Sequence, residues 1–329
     1  MKRAAVPSIL VSVVLLALGV TAEAQQRKKV PRIGFLAVSP LSTLAQQTDA
    51  FRQALRELGY AEGKNIFIEW RSAEGNPDRV PKLAAELVQL KVDVIVTGGS
   101  KATRSAKAGT VTIPIVMAQD PDPVVNGFVA SLARPGGNIT GLSILSPELS
   151  GKRLELLKEI VPKLSRVAVF GTSTSAEDRK SLEEIKLAAG ALKVQVQYLD
   201  IVTGKDIDPG FRAANKARAD AVLWAVSGSV SRSHRTQIVE LAVKSRLSAI
   251  YNSAEWVEAG GLIAYGVNGN DLYRRAATYV DKILKGTKPA DLPVEQPTKF
   301  EFIINLNAAK QIGLTIPPNV LARADRVIK

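Results

Sequence analysis

Apolar residues recur along this chain in two alternating rhythms. Short runs rich in β-branched and apolar residues span 32–38, 65–70, 92–96, 113–117 and 139–144, each bounded by Gly, Pro or polar breakers, and each predicts a buried strand. Between them the period lengthens. Phe51, Leu55 and Leu58 fall on one helical face that stops at Gly59, while Asn76-Pro77-Asp78 opens a helix carrying Val80, Leu83, Leu87 and Leu90. A second series then begins, with a helix over 148–161, a strand over 166–170, a helix bearing Leu182 and Ile185, and clean alternation over 194–198. Strands over 221–226, 248–251 and 262–265 complete it, each displaced by roughly 125 to 135 residues from its counterpart in the first series. Near-continuous apolar strands alternating with amphipathic helices require parallel sheets covered on both faces. The predicted fold class is therefore α/β, with two doubly wound parallel-sheet lobes joined by a hinge.

The tail does not simply extend the second series. A helix over 271–285 leads into a proline-spaced stretch, 286–297, and then a strand over 299–305. Crossings between lobes are expected near 144–148, near 266–270 and within 286–297. That assigns 28–145 with 268–290 to the N-terminal lobe, and 146–267 with 297–329 to the C-terminal lobe. Ligands of open α/β sheets bind outside the carboxyl ends of the strands, so two such lobes facing one another enclose a cleft.

At the N-terminus, Lys2 and Arg3 precede an apolar run from Ile9 to Val20 and the small-x-small triplet Ala22-Glu23-Ala24, the pattern of a signal peptide. The run falls short of the roughly 20 residues that span a bilayer. Residues 1–24 are read as a signal peptide cleaved after Ala24, which places the mature chain in the periplasm. With no cysteine in the chain, disulfides, thiolate metal sites and a thiol nucleophile are excluded. The formal net charge of +13 raises the question of nucleic acid, but its lysines and arginines are scattered over helical patterns and the chain is exported, so no nucleic-acid partner is expected.

Two stretches carry a family resemblance: Asp122-Pro123-Val124 with Gly127-Phe128-Val129, and the run Leu132-Ala133-Arg134-Pro135-Gly136-Gly137-Asn138-Ile139-Thr140-Gly141. With Phe51 to Tyr60, Asn305 to Lys310 and Gly313 to Pro317, they resemble an ABC transporter substrate-binding protein family over almost the whole mature chain. The resemblance implies a type I periplasmic binding fold, a small-molecule ligand between the lobes and an ABC permease in the inner membrane as partner. Its better-known members look like tryptophan or tyrosine binders. The loops Val38 to Thr43 and Thr97 to Ser100 depart from those members, so fold and role carry over while the ligand, an amino acid or aromatic carboxylate on the resemblance, is left open.

The candidate ligand-binding residues follow predicted strand ends. In the first lobe they are Ser39; Thr97, Gly99 and Ser100, whose turn opens a helix whose positive end suits a carboxylate; Gln119 and Asp120; and Asp122, placed either to cap a following helix or to meet a ligand amine. In the second lobe they are Thr172, Ser173, Ser227, Tyr251, Asn252 and Trp256, with Tyr251 and Trp256 expected on a loop as stacking surfaces and Trp224 in the core. Each turn also has a plainer reading as a simple connection.

Catalysis finds little footing. His234 is the chain's one histidine, reads as a surface helix position, and has neither a Gly-x-Ser-x-Gly partner nor HExxH spacing. No catalytic residue, metal or cofactor is expected, and the chain is read as a monomeric, non-enzymatic importer component. A module that reports ligand closure to a membrane receptor, and a periplasmic hydrolase on the same fold, are the alternatives left open.

Overall fold

The computed structural model describes residues 30–144, 146–226 and 228–329; the segment read as a signal peptide and Ser227 lie outside the described residues. The first series supplies strands β1 (Arg32–Ala37), β2 (Phe67–Ser72), β3 (Val94–Gly98), β4 (Ile115–Asp120) and β5 (Ile139–Ser143), with helices α1 (Ala45–Glu57), α2 (Val80–Gln89) and α3 (Ser100–Gly109). All pairs in this sheet are parallel, in the order β2-β1-β3-β4-β5. That order is one of the two common doubly wound arrangements, with a switch point between β1 and β3.

The second series supplies β6 (Arg166–Gly171), β7 (Gln195–Asp200), β8 (Ala221–Trp224), β9 (Ser248–Tyr251), β10 (Ile263–Val267), β11 (Phe300–Asn305) and β12 (Arg326–Ile328). Its helices are α4 (Ser146–Ile160), α5 (Ala176–Leu192), α6 (Ile207–Lys216), α7 (Ser229–Ser233), α8 (Arg235–Lys244) and α9 (Ala254–Glu258), followed by α10 (Gly269–Leu284), α11 (Leu306–Ile312) and α12 (Pro318–Leu321). The sheet order is β12-β11-β10-β9-β8-β6-β7.

Strand periodicity sorts side chains between the two faces of each sheet. On the first, Ile33, Phe35 and Ala37 pack with Phe51, Leu55, Tyr273 and Val280 from α1 and α10. Leu36 and Val38 point the other way, to Leu87, Ala102 and Ala106 from α2 and α3. In the second lobe Val167 and Val169 meet Leu157, Ile160 and Ile185, while Ala168 and Phe170 meet Phe211, Trp224 and Ile238. Helix α10 follows a strand of the second sheet yet covers the first. The chain comes back along the edge of β5, where Glu295 bridges to Leu142 and exchanges backbone bonds of 2.9 Å with Ser143 and Gly141.

One feature departs from the sequence expectation of purely parallel sheets: β11 runs antiparallel to β10. No crossover helix separates residue 294, still packed in the first lobe, from β11, so the strand enters from the opposite end. Gly141 marks a second irregularity. Its φ of +132° and the 2.2 Å that would separate a Cβ from the Met117 carbonyl oxygen leave room for glycine alone, beside the register shift between Met117 and Asp120. Below β10, buried Arg153 donates from Nε to the Tyr265 carbonyl at 2.7 Å, and burial pulls its pKa down to about 10.

Candidate functional site

Every first-lobe candidate lies at or just beyond the carboxyl end of a strand. Ser39 follows β1 and is 1% exposed; its hydroxyl accepts a 2.9 Å bond from Arg232 Nη1 of the opposite lobe. Thr97 ends buried within β3, its hydroxyl 2.8 Å from that of Thr103, which in turn donates to the Gly99 carbonyl. Its polar group is thus engaged inside the lobe. Gly99 caps α3 at φ +111°, with no side-chain hydrogen bond to the helix start and nothing within 4 Å of where a Cβ would lie. Ser100 opens the helix, and its Oγ sits 3.4 Å from Asn126 Nδ2. Asn126 also donates to Asp120 Oδ1 at 2.9 Å, which accepts from the Asp122 amide as well. Gln119, partly buried, stands in register with Gly98. The helix expected after Pro123 is a run of turns. Asp122 Oδ1 accepts from the Val125 amide, and Oδ2 accepts a 2.7 Å bond from Lys180 Nζ across the cleft.

In the second lobe, loop hydroxyls close on their own neighbours. Thr172 donates to the Ile201 carbonyl at 2.7 Å, and Ser173 is held by Asp200 through both its amide and its hydroxyl. Tyr251 and Trp256, expected on a loop, lie instead at the end of β9 and inside α9, 0% and 3% exposed. Their rings stack at 4.7 Å and 9°, with buried Trp224 5.8 Å from Trp256. Two large apolar rings beside a strand end lower their free energy by covering one another. Asn252 accepts from Trp256 Nε1 at 3.0 Å. His234 is not an exposed helix residue either: it joins α7 to α8, partly buried, with Nδ1 3.1 Å from the Val230 carbonyl and its ring against Gly204.

Three side chains not singled out from sequence complete the facing surfaces. Arg232 reaches Ser39, as above. Arg235 stacks its guanidinium 5.8 Å from the Trp256 ring centroid, and its Nε is buried without a hydrogen-bond partner, as are the hydroxyls of Tyr251 and Tyr273. Burial, the largest cause, pushes the Tyr273 pKa up to about 12, with Arg232 opposing and Glu255 adding. For Arg235 burial again leads and lowers the pKa; Glu255 opposes it and Arg232 reinforces it. Tyr273 and Arg235 therefore share the same charged neighbours. Tyr273 also closes on the first-lobe loop, its oxygen 3.0 Å from where a Gly98 Cβ would lie. A buried donor left unmatched costs about 1 to 3 kcal/mol, so each of these unmatched donors is a cost that packing alone does not explain.

The lobes are joined across the cleft by Ser39–Arg232, Asp122–Lys180 and a 2.6 Å bond from Gln47 Nε2 to Glu255 Oε1. A cavity of about 430 Å³ opens nearby, lined by Gln46, Glu255, Glu258, Asn268, Asn270 and Glu301 among others. Its acids already have partners: Gln47 for Glu255, Arg326 for Glu258 and Asn268 for Glu301. Among the described residues no cluster of His, Cys, Asp or Glu is placed to hold a metal ion, and no helix is long and apolar enough to cross a membrane.

Two α/β lobes with their strand ends opposed across a polar cleft define a ligand clamp of the type I periplasmic binding class. The chain belongs to the ABC transporter substrate binding protein family, whose model matches residues 37–328. A tyrosine-binding protein of Clostridioides difficile strain R20291 is 26% identical over 288 residues, 87% of this chain and 82% of that one. Among solved structures, an ABC domain from Streptococcus pneumonia in complex with L-Trp is 26% identical with a TM-score of 0.84, covering 91% of this chain and 99% of that chain. A conserved domain protein of Vibrio cholerae O1 biovar eltor strain N16961 is 28% identical with a TM-score of 0.85, covering 91% and 100%.

Proposed function

We propose that this chain is the periplasmic capture component of an ABC importer, a monomer without chemistry of its own that closes its lobes on a small molecule and presents it to a permease. The observation that carries the reading is the polar, strand-end cleft bridged by Ser39–Arg232, Asp122–Lys180 and Gln47–Glu255. Such contacts between separate lobes give a hinged clamp its closed state, which a ligand stabilises only if it binds that state better than the open one. Relatives that bind L-Trp and tyrosine support an amino acid or aromatic carboxylate as cargo. The proposed contacts are Ser39, Gly99, Ser100, Gln119 and Asp120 from the first lobe and Asn252 from the second.

The test is mass spectrometry of protein isolated from periplasmic extract, before and after mild denaturation. The expected intact mass is that of a chain beginning at Gln25, with a released small molecule of stoichiometric amount whose re-addition contracts the ligand-free protein in X-ray scattering. Protein that retains Met1 refutes the export reading. Protein that releases nothing, and that contracts with none of the extract's small molecules, refutes the capture reading.

A further inference from the structure

We propose that Arg235 and Arg232 of the second lobe, with Tyr273 of the first lobe, form the subsite that holds the acid group of the ligand. The inference rests on the capture reading and deepens it by naming the groups that recognise the acid.

Three observations converge. Arg235 Nε and the Tyr273 hydroxyl are both donors, both buried and both unmatched, so what they lack is an acceptor. Arg232 stands close enough to influence both electrostatically, and its own Nη1 reaches Ser39 at 2.9 Å. One acid therefore sees two guanidinium groups and a phenol that converge from opposite lobes. Finally, the ring of Trp256 to which sequence reasoning assigned a stacking role is already stacked on Tyr251, with the Arg235 guanidinium 5.8 Å from its centroid. What this wall presents to the cleft is a planar cation braced on an aromatic ring, the arrangement that holds a guanidinium fork in place for a carboxylate.

Three other places for the acid group are weaker. The α3 start, whose cap Gly99 brings no side-chain bond, offers only neutral donors, without the opposite charge and the two-pronged geometry that a guanidinium brings to a carboxylate. The Thr97 hydroxyl faces Thr103. Lys180 is already matched by Asp122 at 2.7 Å. Glu255 and Glu258 offset part of the Arg235 charge, but their hydrogen bonds go to Gln47 and Arg326, and Arg235 Nε stays unmatched.

The subsite is tested by calorimetry on the full mature protein with paired probes: L-tyrosine and tyramine, L-tryptophan and tryptamine, and 3-phenylpropionate with its amide. At least one acid should bind, and its partner lacking the carboxylate should bind at least roughly tenfold more weakly. Arg235→Gln should weaken the acid by a similar factor, Tyr273→Phe by several-fold, and Ser100→Ala by less than either. Because the arginine and tyrosine donors are unmatched without ligand, both variants should also melt no lower than the parent in the ligand-free state, an outcome that a purely structural role would reverse. Arg235→Lys, which keeps the charge and loses the fork, should restore only part of the affinity. The inference is overturned if no acid of the panel binds, if the decarboxylated partners bind as well as the acids, or if Arg235→Gln binds like the parent. A neutral molecule from the extract that contracts the protein while all the acids fail would leave the capture reading standing and remove this one alone.

Discussion

At Asp220 a single carboxylate oxygen accepts hydrogen bonds from the Ser165 amide, the Ser165 hydroxyl and the Arg166 amide, at 2.8, 2.9 and 2.9 Å. Burial is the largest influence on this group and raises its pKa, but those bonds and the Arg166 charge together outweigh it, so the pKa ends below the ordinary value. A carboxyl whose folded pKa is depressed stabilises the protein fully above its unfolded pKa of about 3.9, and that contribution is lost as pH falls through the folded value. Asp220→Asn should therefore cost about 1 kcal/mol at neutral pH, with the difference from the parent shrinking below about pH 4; urea midpoints at pH 7 and pH 3 measure it, and an offset independent of pH would rule out this origin. Residues of this kind show why the site was only partly legible. Loop hydroxyls such as Ser173 are recognisable from sequence as strand-end groups, but whether Asp200 takes them up depends on a strand the sequence does not visibly pair. Tyr273 lies on the helical stripe Leu272, Ala276, Ala277, Val280, all buried, and reads as core because most of it is. Only the fold shows that its hydroxyl emerges beside Gly98.

Among elements, the apolar runs identified the strands and hence the fold class, while strand ends came out displaced. Sequence places the third and fourth strands at 92–96 and 113–117; the structure pairs Val94–Gly98 and Ile115–Asp120. The apolar signal stops where a strand approaches the cleft, yet the ladder continues through Thr97, Gly98, Gln119 and Asp120 because backbone pairing does not depend on side-chain polarity. Strand β12, three residues long and starting with Arg326, had no periodicity to betray it. At the crossing into α10, Asn268 Oδ1 accepts from the Asp271 amide at 2.8 Å, and its Nδ2 donates to Glu301 at 2.7 Å. Asn268→Ala should destabilise the protein by about 1 kcal/mol through loss of the cap, read as a lower thermal midpoint; an unchanged midpoint would mean that water replaces the side chain without loss.

At the scale of the whole molecule, Asp122–Lys180 is the one of the three cleft bridges described above that joins full charges, and its hydrogen bond is the leading cause of the raised Lys180 pKa. A partly exposed pair contributes about 1 kcal/mol at most, so Lys180→Met should shift the ligand-free ensemble toward the open state and weaken ligand binding by up to roughly fivefold. Scattering should show a larger radius of gyration, with the difference reduced at high salt; identical radii and affinities would show that the pair does not hold the lobes together. The returning path of the tail has a consequence of another kind. The first lobe is covered by α10, which follows nearly all of the second lobe in sequence, and the second sheet needs β11 to link β12 to β10. Neither half can finish its core until the last part of the chain is available. A polypeptide made from its N-terminus onward therefore cannot seal its first core until residue 294 has been made, when most of its second lobe has already been synthesised.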